Sequence, residues 1–251
     1  MHPCSALHFT SHPSGAAALL SSLHALAAAA SASGHCAAFG EIGLDYDRLS
    51  HCDAATQRTY FSAQLDVAAT LDLPLFLHSR AAADDFYAIL APPLRAGRFP
   101  RGGLVHSFTG SLAEMRRLVA LPGLHIGVNG CSLKTEENLD VVRQVPLDRL
   151  QLETDGPWCE IRPSHAGAAL LEGFDAAGEE ERRGAGERAK PVKKERWRQD
   201  SMVKGRNEPC EIAKVAWVVA RVKGVPVEEV VEAAWRNSIA MFDLGERAGV
   251  L

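Results

Sequence analysis

The chain has 251 residues, 47% of them hydrophobic, and a formal net charge of −4, material for one large domain with a sizeable core. That balance does not announce nucleic acid as a partner, yet an acidic protein can still hold a locally basic groove. Six cysteines, at 4, 36, 52, 131, 159 and 210, lack C-x-x-C pairing and fall short of a disulfide scaffold, so reduced thiols in an intracellular compartment are expected. No apolar stretch is read as reaching spanning length, and Met1-His2-Pro3-Cys4 lacks the flank and core of a signal peptide. The expectation is a soluble chain of the cytoplasm or nucleus with no membrane partner.

Residues 14 to 30 form an Ala/Leu/Ser stretch of good helix propensity, opened by Ser14 and closed near Gly34. A short apolar run, Ala37 to Glu41, precedes a helical pattern over 54 to 71 with Tyr60, Phe61, Gln64, Leu65 and Ala68 on one face. Leu73 to His78 and Gly103 to His106 are the next apolar runs. Residues 111 to 121 then open with Ser111-Leu112-Ala113-Glu114, a capping-box pattern. Leu124 to Val128 ends at Asn129-Gly130, an amphipathic segment from Thr135 to Val145 stops at Pro146, and Leu150 to Asp155 is a further run. Alternating strand and helix patterns predict a parallel sheet with crossover helices.

Residues 172 to 200 are rich in Gly, Glu, Arg and Lys, the composition of a flexible, solvated loop. An alternative is that its cations contact phosphates, with Trp197 available for stacking. Two helices close the chain, one from Asn207-Glu208-Pro209 to Gly224 and one after Pro226 carrying Trp235, Asn237 and Phe242. Nothing repeats and no linker separates two cores, so one domain over 1–251 is expected.

Four of the apolar runs end at, or enclose, a residue able to bind a metal ion: Glu41, His78, His106 and Asp155. Parallel βα units bring the C-terminal ends of their strands to one face, which is where α/β barrels keep their chemistry. Each residue has a plainer reading. Glu41 could be a salt-bridged structural carboxylate, either histidine a satisfied core imidazole, and Asp155 a cap on the Gly156-Pro157 turn. Two carboxylates and two imidazoles at successive strand ends point to a metallohydrolase.

Six blocks, in order, resemble the TatD family of metal-dependent deoxyribonucleases, a (β/α)8 branch of the amidohydrolase-like barrels. They are Gly40-Glu41-Ile42-Gly43-Leu44-Asp45, Leu77-His78-Ser79-Arg80, His106-Ser107-Phe108-Thr109-Gly110, Gly130-Cys131-Ser132-Leu133-Lys134-Thr135, Glu153-Thr154-Asp155-Gly156-Pro157-Trp158 and Arg206-Asn207-Glu208-Pro209-Cys210. The blocks around Cys131 and Asn207 resemble the eukaryotic cytosolic or nuclear subgroup.

The resemblance implies phosphodiester hydrolysis of DNA, in a 3'-5' exonuclease-like manner, with two divalent ions per intact site: Mg, with Mn or Zn as alternatives. It implies that Glu41 bridges the ions, that His78 and His106 bind one, and that Asp155 binds the other and orients the attacking water. Arg80 is by position a candidate phosphate contact. Complete members begin with a strand carrying a His-x-His type motif, which has no counterpart here, and His2-Pro3 looks like the pair following the family's third strand. The expected fold is therefore an incomplete TIM-type barrel of about five parallel strands. Residues 1–35 are expected to be helical, and the open sheet edge is expected to favour self-association. No protein partner is expected. The alternatives are an amidohydrolase-like enzyme of a small ester or amide, or an inactive remnant.

Overall fold

The computed structural model describes residues 15–174, 191–199 and 201–244. His2-Pro3 and residues 175–190 of the charged stretch lie outside the described residues. Seven helices and seven strands follow in the described chain: α1 (Gly15–Ala32), β1 (Phe39–Asp45), α2 (Ala54–Ala68), β2 (Leu75–Arg80), α3 (Ala83–Arg95), β3 (Gly103–Val105) and α4 (Leu112–Val119). Then come β4 (Leu124–Val128), α5 (Glu136–Gln144), β5 (Leu150–Leu152), β6 (Pro191–Val192), β7 (Met202–Val203), α6 (Ile212–Lys223) and α7 (Val227–Phe242).

Strands β1 to β5 form one sheet in sequence order, and β6, inside the stretch expected to be loop, pairs with β7 just beyond it as a separate two-stranded sheet. The pairs β1–β2, β2–β3 and β3–β4 are parallel. The fold is α/β, with helices crossing between successive strands as the alternating patterns predict. Residues 15–32 are helical, as expected for this Ala-rich segment.

One expectation needs correction, and one helix was not foreseen. Helix α1 has 18 residues with mean hydropathy 1.4, so a stretch of spanning length and composition does exist. A core helix or a signal sequence passes the same test, and Ala27 is its buried residue. Helix α3 was not legible, because Pro92 and Pro93 sit inside it and proline ordinarily ends a helix. What forms it is an apolar stripe, Phe86, Leu90 and Leu94 at four-residue spacing, all buried, with Asp84 and Asp85 in the favourable first turn.

The chain divides into two compact units, one of Met1–His106, Ala113–Ile126 and Arg236–Leu251, the other of Ser107–Leu112 and Gly127–Trp235. In the first, Phe61 of α2 stacks on Phe86 of α3 with ring centroids 5.4 Å apart, over buried Ile42, Leu44, Leu75 and Leu77. In the second, Val215, Val218 and Val219 of α6 are buried, and Trp217 meets Phe174 edge-on at 5.5 Å while its indole N–H donates to the Leu170 carbonyl at 3.1 Å.

The β1–β2 pairing brings two backbones close together. Gly40 lies across from Phe76 and Ile42 from Leu77, so Glu41 between them is an extra residue, a bulge. A Cβ on Gly40 would lie 2.3 Å from the Phe76 carbonyl oxygen, and one on Gly43 only 1.9 Å from that of His78. Gly43 also has φ +147°. Gly43→Ala is therefore expected to cost about 2 kcal/mol or more of unfolding free energy, from strain plus displacement of β2. Gly97, with φ +71° and open space around it, should lose only about 1 kcal/mol on the same change. Urea unfolding of both variants checks this, and equal losses would refute the close-approach account.

In the second unit, Lys223 closes α6 and its Nζ donates to the carbonyls of Arg143 and Val145, at 3.3 and 2.5 Å, at the end of α5. Burial pushes its ammonium down to about 8 from the ordinary 10.5. Between those values the unfolded chain holds a proton that the folded chain has released, so stability should rise with pH across that window. Denaturation midpoints measured from pH 7 to 10.5 should show this rise, and Lys223→Met should remove it.

Candidate metal centre

The bulge decides where Glu41 points. Because it falls outside the β1–β2 ladder, its side chain is released from the strict alternation that places Ile42 and Leu44 in the core. Its Oε1 lies 2.9 Å from His78 Nδ1 and 2.8 Å from His106 Nε2, and the two nitrogens are 3.2 Å apart. His78 is in β2, across from Gly43, and His106 follows β3 directly. Both imidazoles are buried, and the Phe76 ring stacks on that of His106 with centroids 5.0 Å apart.

Three electron-pair donors in one small triangle, with the Phe76 ring against His106, could hold a metal ion. Burial works to raise the Glu41 pKa. The hydrogen bonds and charge of His106 and His78 outweigh that effect and hold the carboxyl well below the usual carboxylate range. Glu41 is thus kept ionised, the form a metal ligand requires.

A further layer orients His78. Its Nε2 faces Asp45 Oδ2 at 3.6 Å, longer than a direct hydrogen bond. Asp45, at the end of β1, is 4% exposed and is fixed by Gln57 of α2. The Asp45 N–H donates to Gln57 Oε1 at 2.8 Å, and Gln57 Nε2 donates to the carbonyls of Asp45 and Cys52 at 2.9 Å. Every polar atom of that buried amide is satisfied. Metal-binding histidines depend on such outer carboxylates for tautomer and ring orientation. Neither residue stands out in the sequence: Asp45 carries no mark of this role, and Gln57 looks like any polar helix residue until α2 is seen against β1.

Arg80 ends β2 in register with Asp45. Its Nε is buried and has no hydrogen-bond partner among the described residues, a donor in want of an anion.

Asp155 belongs to the second unit, three residues beyond β5, with φ +54°. Its Oδ2 accepts from the Cys159 thiol at 3.2 Å and its carbonyl accepts from the Trp158 N–H at 2.9 Å. Asn207, 5% exposed, fixes the same turn: its Nδ2 donates to the Thr154 carbonyl at 2.7 Å and its N–H to the Pro157 carbonyl at 3.1 Å. Beside it, the Ser107 N–H donates to Glu153 Oε1 at 2.5 Å, and buried Asn129 donates to Ser107 Oγ at 2.9 Å. The contact with Cys131, then burial and Asp155, push the Cys159 thiol up. The structure therefore brings Glu41, His78 and His106 together and gives Asp155 its own scaffold.

Residues 2–243 match the family model for TatD related DNase. The chain is 50% identical over 245 residues to a Deoxyribonuclease Tat-D of Schizosaccharomyces pombe, covering 96% of this chain and 73% of that protein. It is 33% identical over 211 residues to a 3'-5' ssDNA/RNA exonuclease TatD of Erwinia amylovora, covering 82% of this chain and 66% of that one. The crystal structure of an uncharacterized amidohydrolase from Saccharomyces cerevisiae superposes with a TM-score of 0.83 at 34% identity, over 96% of this chain and 78% of that one. The chain thus spans roughly two thirds to three quarters of the length of these relatives.

If Asp45 orients His78, Asp45→Asn should leave the three donors in place yet weaken Mn binding by about 10–100-fold. Calorimetric titration of the purified chain measures this. An affinity equal to that of the parent would remove Asp45 from the site.

Proposed function

This chain belongs to the TatD-related DNase family, and on that premise we propose that it hydrolyses phosphodiester bonds of DNA with divalent metal ions. The observation that carries the reading is the convergence of Glu41 Oε1, His78 Nδ1 and His106 Nε2 on one another. Those three residues would hold one ion, and two imidazoles weight that choice toward Mn or Zn. Asp155 is the carboxylate for a second ion, where Mg suits an oxygen donor. When bound, such ions supply Lewis acidity toward water and toward the charge that builds on the phosphate.

The chain's own residues supply the rest. Asp155 presents a carboxylate from a turn clamped by Asn207, so it can accept a hydrogen bond from the attacking water and set its direction. Arg80 offers a phosphate oxygen the Nε proton that no protein group takes among the described residues. The name of the Erwinia relative supports removal of nucleotides from a 3' end, on DNA and also on RNA. An ester or amide hydrolase is the second reading, favoured by the amidohydrolase name of the similar yeast structure. The same donors would serve it.

The test uses single-stranded DNA labelled at its 5' end, with Mg, Mn or Zn, and gel analysis of the products. The chain should shorten the DNA stepwise. Asp155→Ala should lower the rate about 100-fold or more, and Arg80→Ala should act mainly on KM. Intact DNA under all three metals, together with turnover of a small aryl ester, would transfer the assignment to the second reading.

A further inference from the structure

Two cysteines of the second unit stand side by side without a part in the hydrolysis. Cys131 lies in the 3-10 turn Gly130–Leu133 that follows β4, and Cys159 follows the turn opened by Asp155. Their Sγ atoms are 2.8 Å apart, across 28 residues of sequence, and both side chains are partly exposed. The backbone holds them there. A Cβ on Gly130 would lie 2.0 Å from the Cys159 carbonyl oxygen, so the two segments touch at this point. The Cys131 N–H donates to Asn129 Oδ1 at 2.9 Å, on a fully buried side chain. Cys36 donates instead to the Ala38 carbonyl, Cys52 is buried, and Cys210 is exposed.

We propose that Cys131 and Cys159 are a redox-active dithiol that closes reversibly to a disulfide on exchange with a low-molecular-weight disulfide. The sulfurs need to approach by less than about 1 Å to reach bonding distance, on segments that already touch. In the exchange, one cysteine sulfur, as thiolate, attacks a sulfur of the small disulfide RSSR and expels RS⁻. The second cysteine then attacks the mixed disulfide and expels the other RS⁻. The protein gives up two thiol protons and two electrons, and the oxidant leaves as two RSH. Closing the bond removes the S–H that Cys159 donates to Asp155 Oδ2. Oxidation therefore strips Asp155 of a hydrogen-bond donor and lowers hydrolysis, a consequence that rests on the role given to Asp155 above.

The test equilibrates the full chain in buffers of reduced and oxidised glutathione, blocks free thiols with iodoacetamide, and maps peptides by mass spectrometry. The expected product is a Cys131–Cys159 linked peptide pair, lighter by about 2 Da than the two thiols together. It should form before Cys36, Cys52 or Cys210 is modified and be reversed by dithiothreitol. Cys131→Ser should trap Cys159 as a glutathione adduct. Alkylation of both cysteines at every glutathione ratio, or stable adducts on each in the parent chain, would overturn the pair. The covalent bond is read directly, so a chain that cuts no DNA still decides the matter. Where DNA is cut, cleavage should fall on oxidation and return on reduction; a disulfide with undiminished cleavage would overturn the coupling to Asp155.

Discussion

The close approach of β1 and β2 is the constraint on which the candidate metal centre depends. Two parallel strands in regular register would keep Glu41 in the same alternation as its neighbours. The extra residue between Gly40 and Ile42 breaks that alternation at one place, and glycines at 40 and 43 leave no side chain where the Phe76 and His78 carbonyls pass. A carboxylate thereby arrives beside two imidazoles that come from the next two strands. Local disruption of a ladder has a cost in pairing. Here the buried faces of Ile42, Leu44, Leu75 and Leu77 keep the strands together around it.

That placement settles the electrostatics. Burial works against the charge on Glu41, because desolvation disfavours the ionised form of a carboxylate. Two imidazoles within 2.9 Å reverse the balance. Any proton shared between these nitrogens and Glu41 would occupy the space a metal ion would take, so proton and metal would compete for one triangle of donors. Asp45 and Gln57 matter for the same reason. An imidazole free to rotate would spend part of its time with the wrong nitrogen toward Glu41, and the carboxylate beyond His78 opposes that rotation.

Much of this was legible in the sequence because strand ends write themselves as an apolar run followed by one polar residue. All five strands of the sheet follow from that pattern, and His106 directly follows β3; Glu41 departs from it, because β1 runs on from Phe39 to Asp45 and leaves Glu41 near the start of its strand. Two kinds of feature were not legible. Helix α3 was hidden by Pro92 and Pro93, since a local rule about proline outranks an apolar stripe until burial is known. The supporting polar residues Asp45, Gln57 and Asn129 were hidden because a buried, satisfied side chain and a solvated one have the same letter. Only the fold says which amide faces inward. The bulge at Glu41 was equally invisible, as register belongs to a pair of strands and not to either strand alone.

The turn that carries Asp155 shows what such hidden residues must supply. Ser107, Asp155 and Cys159 all have φ near +50°, a conformation costly for residues with a side chain, about 1–3 kcal/mol each where it is enforced. Hydrogen bonds from fixed, buried groups offset this at about 1 kcal/mol apiece, which explains why several converge on so short a stretch. Their chemistry is also constrained. Asn207 must donate to the Thr154 carbonyl, and Asn129 must donate to Ser107 Oγ while accepting from the Cys131 N–H. A carboxylate at either position would lose the donor and would set another buried negative charge in the segment that already holds Glu153 and Asp155. Neutral amides fix the turn without adding charge beside the Asp155 carboxylate.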